Sequence, residues 1–117
     1  MTVEAEIRRA VAPMVEDRVF PDEAPPDTSL PYVTYSQIGG RPLTFLAGLP
    51  DKRNGRFQFN VWANTRDEAN ALMRAIADAL ELDSVLQATP LGELAGALEP
   101  ETKLRGATQD FSIWFPR

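Results

Sequence analysis

The chain has 117 residues, of which 44% are hydrophobic and 25% charged, with a formal net charge of −5. These values are typical of a globular protein, and we expect one domain over residues 1–117. Cysteine and histidine are both absent, which excludes disulfides, thiolate nucleophiles and thiolate or imidazole metal sites. The acidic balance argues against a general nucleic-acid binder.

The N-terminal segment MTVEAEIRRA carries acids where a signal peptide needs basic and then apolar residues. No apolar run approaches the length of a membrane span, so we expect neither export nor a membrane partner. Residues 2–14 instead predict an amphipathic helix that ends or kinks at Pro13. A role at a membrane or partner surface is the alternative, but the short apolar stripe favours packing on a sheet.

Residues 16–31, EDRVFPDEAPPDTSLP, form the most acidic segment. Val19 and Phe20 predict a short edge strand, because Pro21 cannot donate to a central ladder. Asp22 and Glu23 could bind a cation, but neighbouring side chains diverge in an extended segment. A solvated loop is therefore favoured.

Residues 32–38, YVTYSQI, predict a strand that ends at Gly39–Gly40. The connection over 41–55, RPLTFLAGLPDKRNG, is long for a compact domain and rich in apolar residues. Two interpretations stay open: a hairpin that folds back onto the core, and an arm buried against another subunit. Asn54–Gly55 predicts a hairpin-type turn into the next strand.

The stretch from 56 to 82 predicts the centre of the fold. Phe57, Phe59 and Val61 alternate with polar residues, which indicates a strand with one buried face, and Trp62 interrupts the polar side. Thr65 and Glu68 then form a capping box at the start of a helix. The helix carries one apolar stripe: Ala69, Leu72, Met73, Ile76, Ala77 and Leu80.

Residues 85–99 are ambiguous, since Thr89–Pro90 with Glu93 resembles a helix start. Two glycines and the need to pair the final strand favour an irregular, bulged strand, which we predict. The final strand, 103–115, places Phe111, Ile113 and Phe115 on the core side. Trp114 and Trp62 then lie on the opposite face, close together if the two strands pair, at an interface or covered patch.

These elements predict an α+β fold: a single, mostly antiparallel sheet of about four strands with two helices packed on one face. No Gly-rich loop opens a helix, and no serine has a histidine to activate it. We therefore expect no enzyme activity, no catalytic residue, no metal site and no cofactor.

The order of several blocks resembles the tail completion (tail terminator) family of long-tailed bacteriophages and prophages. The blocks are a short N-terminal helix, RVFPDEAP, LPYVTY, RFQFNVWANTRDEANALMRAIADAL and QDFSIWF. The resemblance covers essentially the whole chain, although the acidic segment 21–27 and the loop 85–98 depart from it.

The resemblance implies a structural virion protein, assembled in the host bacterial cytoplasm, that forms a ring, expected to be a hexamer. Such a ring caps the head-proximal end of the tail tube, stops its polymerisation and joins the tail to the head connector. Its partners are then further copies of itself, the tail tube protein and a head connector or neck protein, while DNA passes nearby without specific binding. No catalytic or cofactor residues come with the family.

The charge pattern suggests how a ring could close. Segment 41–56 is basic and segment 16–27 is acidic, and a ring needs two different patches that meet head to tail. Opposite charges would steer that encounter, with buried apolar side chains supplying most of the binding energy. The candidate interface residues are Arg41, Leu43, Phe45, Leu46, Leu49, Arg53, Arg56, Trp62 and Trp114.

Two rival functions are retained. A small ferredoxin-like ligand-binding or regulatory domain would show a pocket lined by converging polar groups. A carboxylate-based, metal-dependent hydrolase would show activity that depends on Mg²⁺ or Mn²⁺.

Overall fold

The computed structural model of the chain describes residues 2–42 and 51–116. Its elements are α1 (Val3–Val11), a 3-10 turn (Ala12–Met14), β1 (Val19–Pro21), β2 (Tyr32–Gly39), β3 (Lys52–Ala63), α2 (Arg66–Leu82), β4 (Thr89–Pro90), β5 (Ala95–Leu98) and β6 (Arg105–Pro116). The 3-10 turn follows α1 at Pro13, where the helix was predicted to end. In the described ranges, neither helix combines the length and apolar character that a membrane crossing requires.

The strands of the described residues form one six-stranded sheet in the order β1-β2-β3-β6-β4, with β5 also paired to β6. β1 runs parallel to β2, and every other pair is antiparallel. The α+β prediction is confirmed, but the number of about four strands is wrong. The irregular strand predicted over residues 85–99 is divided into two short edge strands, β4 and β5.

The edge strand over residues 89–98 is broken by a bulge, as the sequence predicted. Pro90 pairs with Phe111 and Ala95 with Thr108, so four residues on this edge (91–94) lie opposite two on β6 (109 and 110). Gly92 has a φ of 127° inside the bulge, a conformation that favours glycine. The bulge divides one irregular edge strand into β4 and β5.

Asn54 and Gly55 lie inside β3, so the predicted hairpin turn at these residues is wrong. Asn54 is buried; its Nδ2 donates to Ser112 Oγ at 2.8 Å, and its Oδ1 accepts from the Arg41 backbone N–H at 3.1 Å. A Cβ on Gly55 would lie 2.6 Å from Phe57 Cε1. Close packing, rather than a turn, therefore requires the glycine. β3 begins at Lys52, four residues before the predicted start at Arg56.

Both helices pack on the same face of the sheet. The predicted core residues Phe57, Phe59, Phe111 and Ile113 are fully buried in one cluster with apolar side chains of α1 and α2, whereas Phe115 is partly buried. Thr65 caps α2 as predicted, since its side chain accepts from the Glu68 backbone N–H at 3.2 Å. The apolar stripe of α2 thus covers the face that the alternation in β3 predicted.

A group of polar contacts around Asp83, called here the polar clasp, joins α1 to the end of α2. Arg9 Nη2 donates to Glu6 Oε2 and to Asp83 Oδ2, both at 2.7 Å. Asp83 Oδ1 accepts from the backbone N–H groups of Val85 and Leu86 at 3.0 and 3.1 Å. Burial tends to raise the pKa of Asp83, but the Arg9 and backbone hydrogen bonds outweigh it and lower that pKa.

Candidate functional site

The sheet face turned away from the helices, called here the open face, carries polar and aromatic side chains. Because side chains alternate along a strand, residues between the core positions of β3 and β6 point to this face. They are Arg56, Gln58, Asn60 and Trp62 on β3 and Thr108, Asp110, Ser112 and Trp114 on β6. Most are partly buried by one another.

The two tryptophans stand at opposite ends of the open face. Trp62 pairs with Gly106, whereas Trp114 pairs with Asn54, which lies eight positions before Trp62 in β3. At about 3.4 Å per residue, that separation is roughly 27 Å. The predicted proximity of the two rings is therefore wrong, because it depended on a register that the sequence could not supply. A role for either ring at an interface stays a prediction.

A cleft of about 540 Å³ lies on the open face at the Trp62 end. Its floor, called here the aromatic floor, consists of Tyr32, Thr34, Asn60 and Trp62. Tyr32 is paired directly with Trp62, and Thr34 with Asn60. Gly106 makes room for the Trp62 ring, since a Cβ there would lie 2.8 Å from Trp62 Cε3.

Among the described residues, an unpaired buried hydroxyl lies beside the polar side chains of the aromatic floor. Thr34 is only 7% exposed and lines the cleft. Thr108, directly opposite Asn60 on β6, has an Oγ1 that is buried without a partner in the part of the chain that the structure describes. Buried polar atoms are ordinarily hydrogen-bonded, so the Thr108 hydroxyl is an exception in this part of the sheet.

Four carboxylates surround this floor. Asp22 and Glu23 approach from the connection between β1 and β2, and Glu99 and Glu101 from the turn between β5 and β6. Asp22 also accepts a hydrogen bond from Ser36 Oγ at 2.8 Å. Burial and the negative charge of Glu99 both raise the pKa of Tyr32. The cleft therefore presents negative charge above two aromatic rings.

This arrangement favours a bound organic cation over a metal. No group of three or more carboxylates in the described residues is close enough to hold a metal ion. Aromatic faces and nearby carboxylates both attract ammonium and guanidinium groups. The cleft can thus hold and orient a cationic group.

The other end of β3 is basic. Arg41, Lys52 and Arg53, called here the basic end, are exposed. Arg56, also a predicted interface residue, forms an ion pair at 2.7 Å with Asp110 of the same chain. Arg41 and Arg56 line a smaller groove of about 250 Å³ together with Leu91.

The structure brings only part of the predicted interface together. Arg41, Arg53 and Arg56 gather near one end of the sheet, with Trp114 beside them, while Trp62 lies at the other end. The remaining predicted contacts lie outside the described residues: Leu43, Phe45, Leu46 and Leu49.

Sequence reasoning missed most of the cleft. Tyr32, Thr34, Asn60, Glu99 and Glu101 were not singled out, and the pair Asp22–Glu23 was interpreted as a solvated loop. The alternation in YVTYSQI places Tyr32 and Thr34 opposite Val33 and Tyr35, which is the one available signal. The register that sets them beside Asn60 and Trp62 is not visible in the sequence.

A search of curated proteins found no match. A scan of family models matched residues 5–116, nearly the whole chain, to the family described as Tail completion protein gp17. That coverage agrees with the order of blocks from which the resemblance was drawn, and extends from α1 to the end of β6. The chain therefore belongs to the tail completion protein gp17 family of phage tail proteins.

Proposed function

We propose that this protein assembles as a ring, a hexamer, that closes the head-proximal end of the phage tail tube. The ring stops polymerisation of the tube and joins the tail to the head connector. The observation that carries this proposal is the family match over residues 5–116, which gives the tail completion role. The position at the head-proximal end of the tube and the number of six subunits are taken from the family resemblance.

The shape and charge of the subunit support a ring. The molecule measures 52 × 25 × 24 Å, with carboxylates around the cleft at one end of β3 and exposed cations at the other. Closed rings require heterologous interfaces, in which two unlike patches of each subunit meet. An elongated subunit with opposite charges at its two ends suits that requirement. The apolar residues of segment 43–50 are assigned to the same contact on sequence grounds.

Passage of DNA follows from the same assembly. A ring on the tail axis surrounds the path of the genome, and the chain has a net charge of −5. Acidic side chains along that path repel phosphates and keep the duplex from binding. Tight duplex binding in a filter assay at low salt would contradict this part of the proposal.

A small ligand-binding or regulatory domain is the second candidate, because the cleft does contain converging polar groups. Such a domain would bind a small cation as a monomer. Free arginine that raises the melting temperature, without any change in mass across protein concentration, would favour this candidate over the ring.

Tail tube length tests the proposed function. Purified protein is added to polymerising tail tube protein, and tube lengths are measured by electron microscopy with the added protein gold-labelled. We expect shorter tubes, label at one end, and a ring of six subunits by mass. Tubes of unchanged length that carry no end label would contradict the capping role, whereas end label with another copy number would correct the stoichiometry alone.

A further inference from the structure

We propose that the cleft over the aromatic floor is the acceptor of the ring contact, and that it receives a guanidinium group from the basic end of a second copy of this chain. This inference rests on the proposed ring. It replaces the acidic segment 16–27 as a whole with a defined site, in which Asp22 and Glu23 act together with Glu99 and Glu101. The following observations support it.

The chemistry of the cleft selects a cation that also forms hydrogen bonds. Two aromatic rings, Tyr32 and Trp62, lie beneath four carboxylates. The side chain of Thr34, a residue only 7% exposed, also lines the cleft and adds a hydroxyl group. A guanidinium satisfies all three features, since it is planar, permanently charged and carries five N–H donors. Its plane can stack on an indole while its edges donate to carboxylates.

The same chain offers such a group at the far end of the sheet. Arg53 and Arg41 are exposed, and neither takes part in the ion pairs formed within the described ranges. Arg56 differs from them, because Asp110 of its own chain already neutralises it. The basic end therefore presents Arg53 and Arg41 as the cations available to a partner.

The two patches cannot meet within one molecule. Lys52 and Ala63 mark the ends of β3, and an extended strand of that length measures roughly 37 Å. An arginine side chain cannot reach across such a distance, so the acceptor of one copy must take the donor of another. A contact between unlike ends is heterologous and propagates head to tail. The occupant of the cleft is thus a neighbouring subunit.

Charge exchange between two variants tests this contact. In the acceptor variant, Glu99→Arg and Glu101→Arg reverse the charge of the cleft. In the donor variant, Arg41→Glu and Arg53→Glu reverse the basic end. Mass is measured by analytical ultracentrifugation over a range of protein concentrations, and thermal unfolding checks that every variant folds.

We expect each variant alone to dissociate at least 10-fold more readily than the parent. A 1:1 mixture should regain assembly, because each reversed patch then meets a complementary one on the other variant. The matched control combines Arg74→Glu with Glu81→Arg, two exposed residues of α2, and should assemble like the parent. Trp114→Phe leaves Trp62 as the sole tryptophan; once ultracentrifugation shows that this variant assembles like the parent, its emission should change on assembly.

The outcomes separate this inference from the function on which it rests. A ring that forms equally well in the parent and in both variants would overturn the cleft as acceptor and leave the ring intact. Variants that lose assembly but do not recover on mixing would also overturn it. A parent that neither assembles nor caps tubes would refute the proposed function itself. Free arginine that shifts Trp62 emission without altering the mass would assign the cleft to a small ligand.

Discussion

The two faces of the sheet differ in the kind of side chain that they carry and in how deeply it is buried. The helix-covered face is built from fully buried aromatic and aliphatic residues, with Phe59 stacked against Tyr35 and edge-on to Phe111. The open face, formed by the alternate residues of the same strands, holds polar side chains that are only partly buried. Strand geometry supplies both faces equally, so the difference comes entirely from which residues occupy alternate positions.

The two faces therefore contribute differently to stability. Apolar burial stabilises the fold by about 25 cal/mol per Å², and close packing leaves little freedom in the choice of residue. The open face contributes less to folding and leaves the Thr108 hydroxyl unpaired within the described residues. Substitutions on the two faces should therefore have very different effects.

The largest expected effect is on the covered face. Phe59→Ala should lower the free energy of unfolding by about 3–5 kcal/mol, because Phe59 is fully buried and its removal leaves a cavity. Gln58→Ala, the next residue on the open face, is the matched control and should change stability by less than about 0.5 kcal/mol. Urea unfolding of both variants measures the contrast. Similar losses in the two would show that the faces are not distinct.

Gly106→Ala tests whether part of the open face is as tightly packed as the core. The added methyl would lie 2.8 Å from the Trp62 ring, so we expect a loss of about 1–3 kcal/mol from overpacking and a change in Trp62 fluorescence. Thr108→Val, two residues along on the same face, should be neutral or stabilising because it removes an unpaired buried hydroxyl. An unchanged Trp62 emission spectrum in Gly106→Ala would contradict the close packing of the Trp62 ring on Gly106.

The sequence predicts one face better than the other for a physical reason. Burial imposes a period of two on Phe57, Phe59 and Val61 and a helical stripe on α2, so the core face and both helices can be predicted from local patterns. The register that separates Trp62 from Trp114, and that gathers Glu99 with Asp22, depends on pairing between distant segments. Asn54–Gly55 shows the same limit. The pair is locally favourable for a turn, but it lies inside β3, where close packing requires the glycine.

The polar clasp at Asp83 joins the two helices and should add to the free energy of unfolding. Asp83→Ala removes two backbone hydrogen bonds and the contact with Arg9, and should lower the free energy of unfolding by about 1–2 kcal/mol. Asp83→Asn keeps the backbone acceptor and loses only the charge, so its loss should be smaller. Chemical denaturation of the two variants against the parent gives the comparison.

The same clasp gives a pH dependence. The folded-state pKa of Asp83 lies below its ordinary value of 3.8, so its contribution is complete well above that pH and is lost as pH falls through the folded value. The parent should thus lose more stability on acidification below about pH 4 than Asp83→Asn does. Parallel acid-unfolding curves for the two proteins would contradict the charged clasp.

The smallest effect concerns the ion pair of the open face. Arg56 is 48% and Asp110 18% exposed in their side chains, so solvent screens the pair. A double-mutant cycle with Arg56→Ala and Asp110→Ala should give a coupling of about 0.2–1 kcal/mol that weakens with salt. Coupling above about 2 kcal/mol, insensitive to salt, would show that this part of the open face is desolvated like the covered one.

The position of β6 in the sheet has a consequence for how the chain acquires its structure. β6 is the last strand along the chain, yet it lies between β3 and the β4–β5 edge and pairs with all three. The pairing of β3 with β6 joins residues that are about 50 positions apart in the chain, and such long-range contacts form slowly. On the ribosome, therefore, the core face of β3 stays incompletely covered until residue 116 has emerged. Folding of this protein should be a late, cooperative event rather than a stepwise accumulation from the N-terminus.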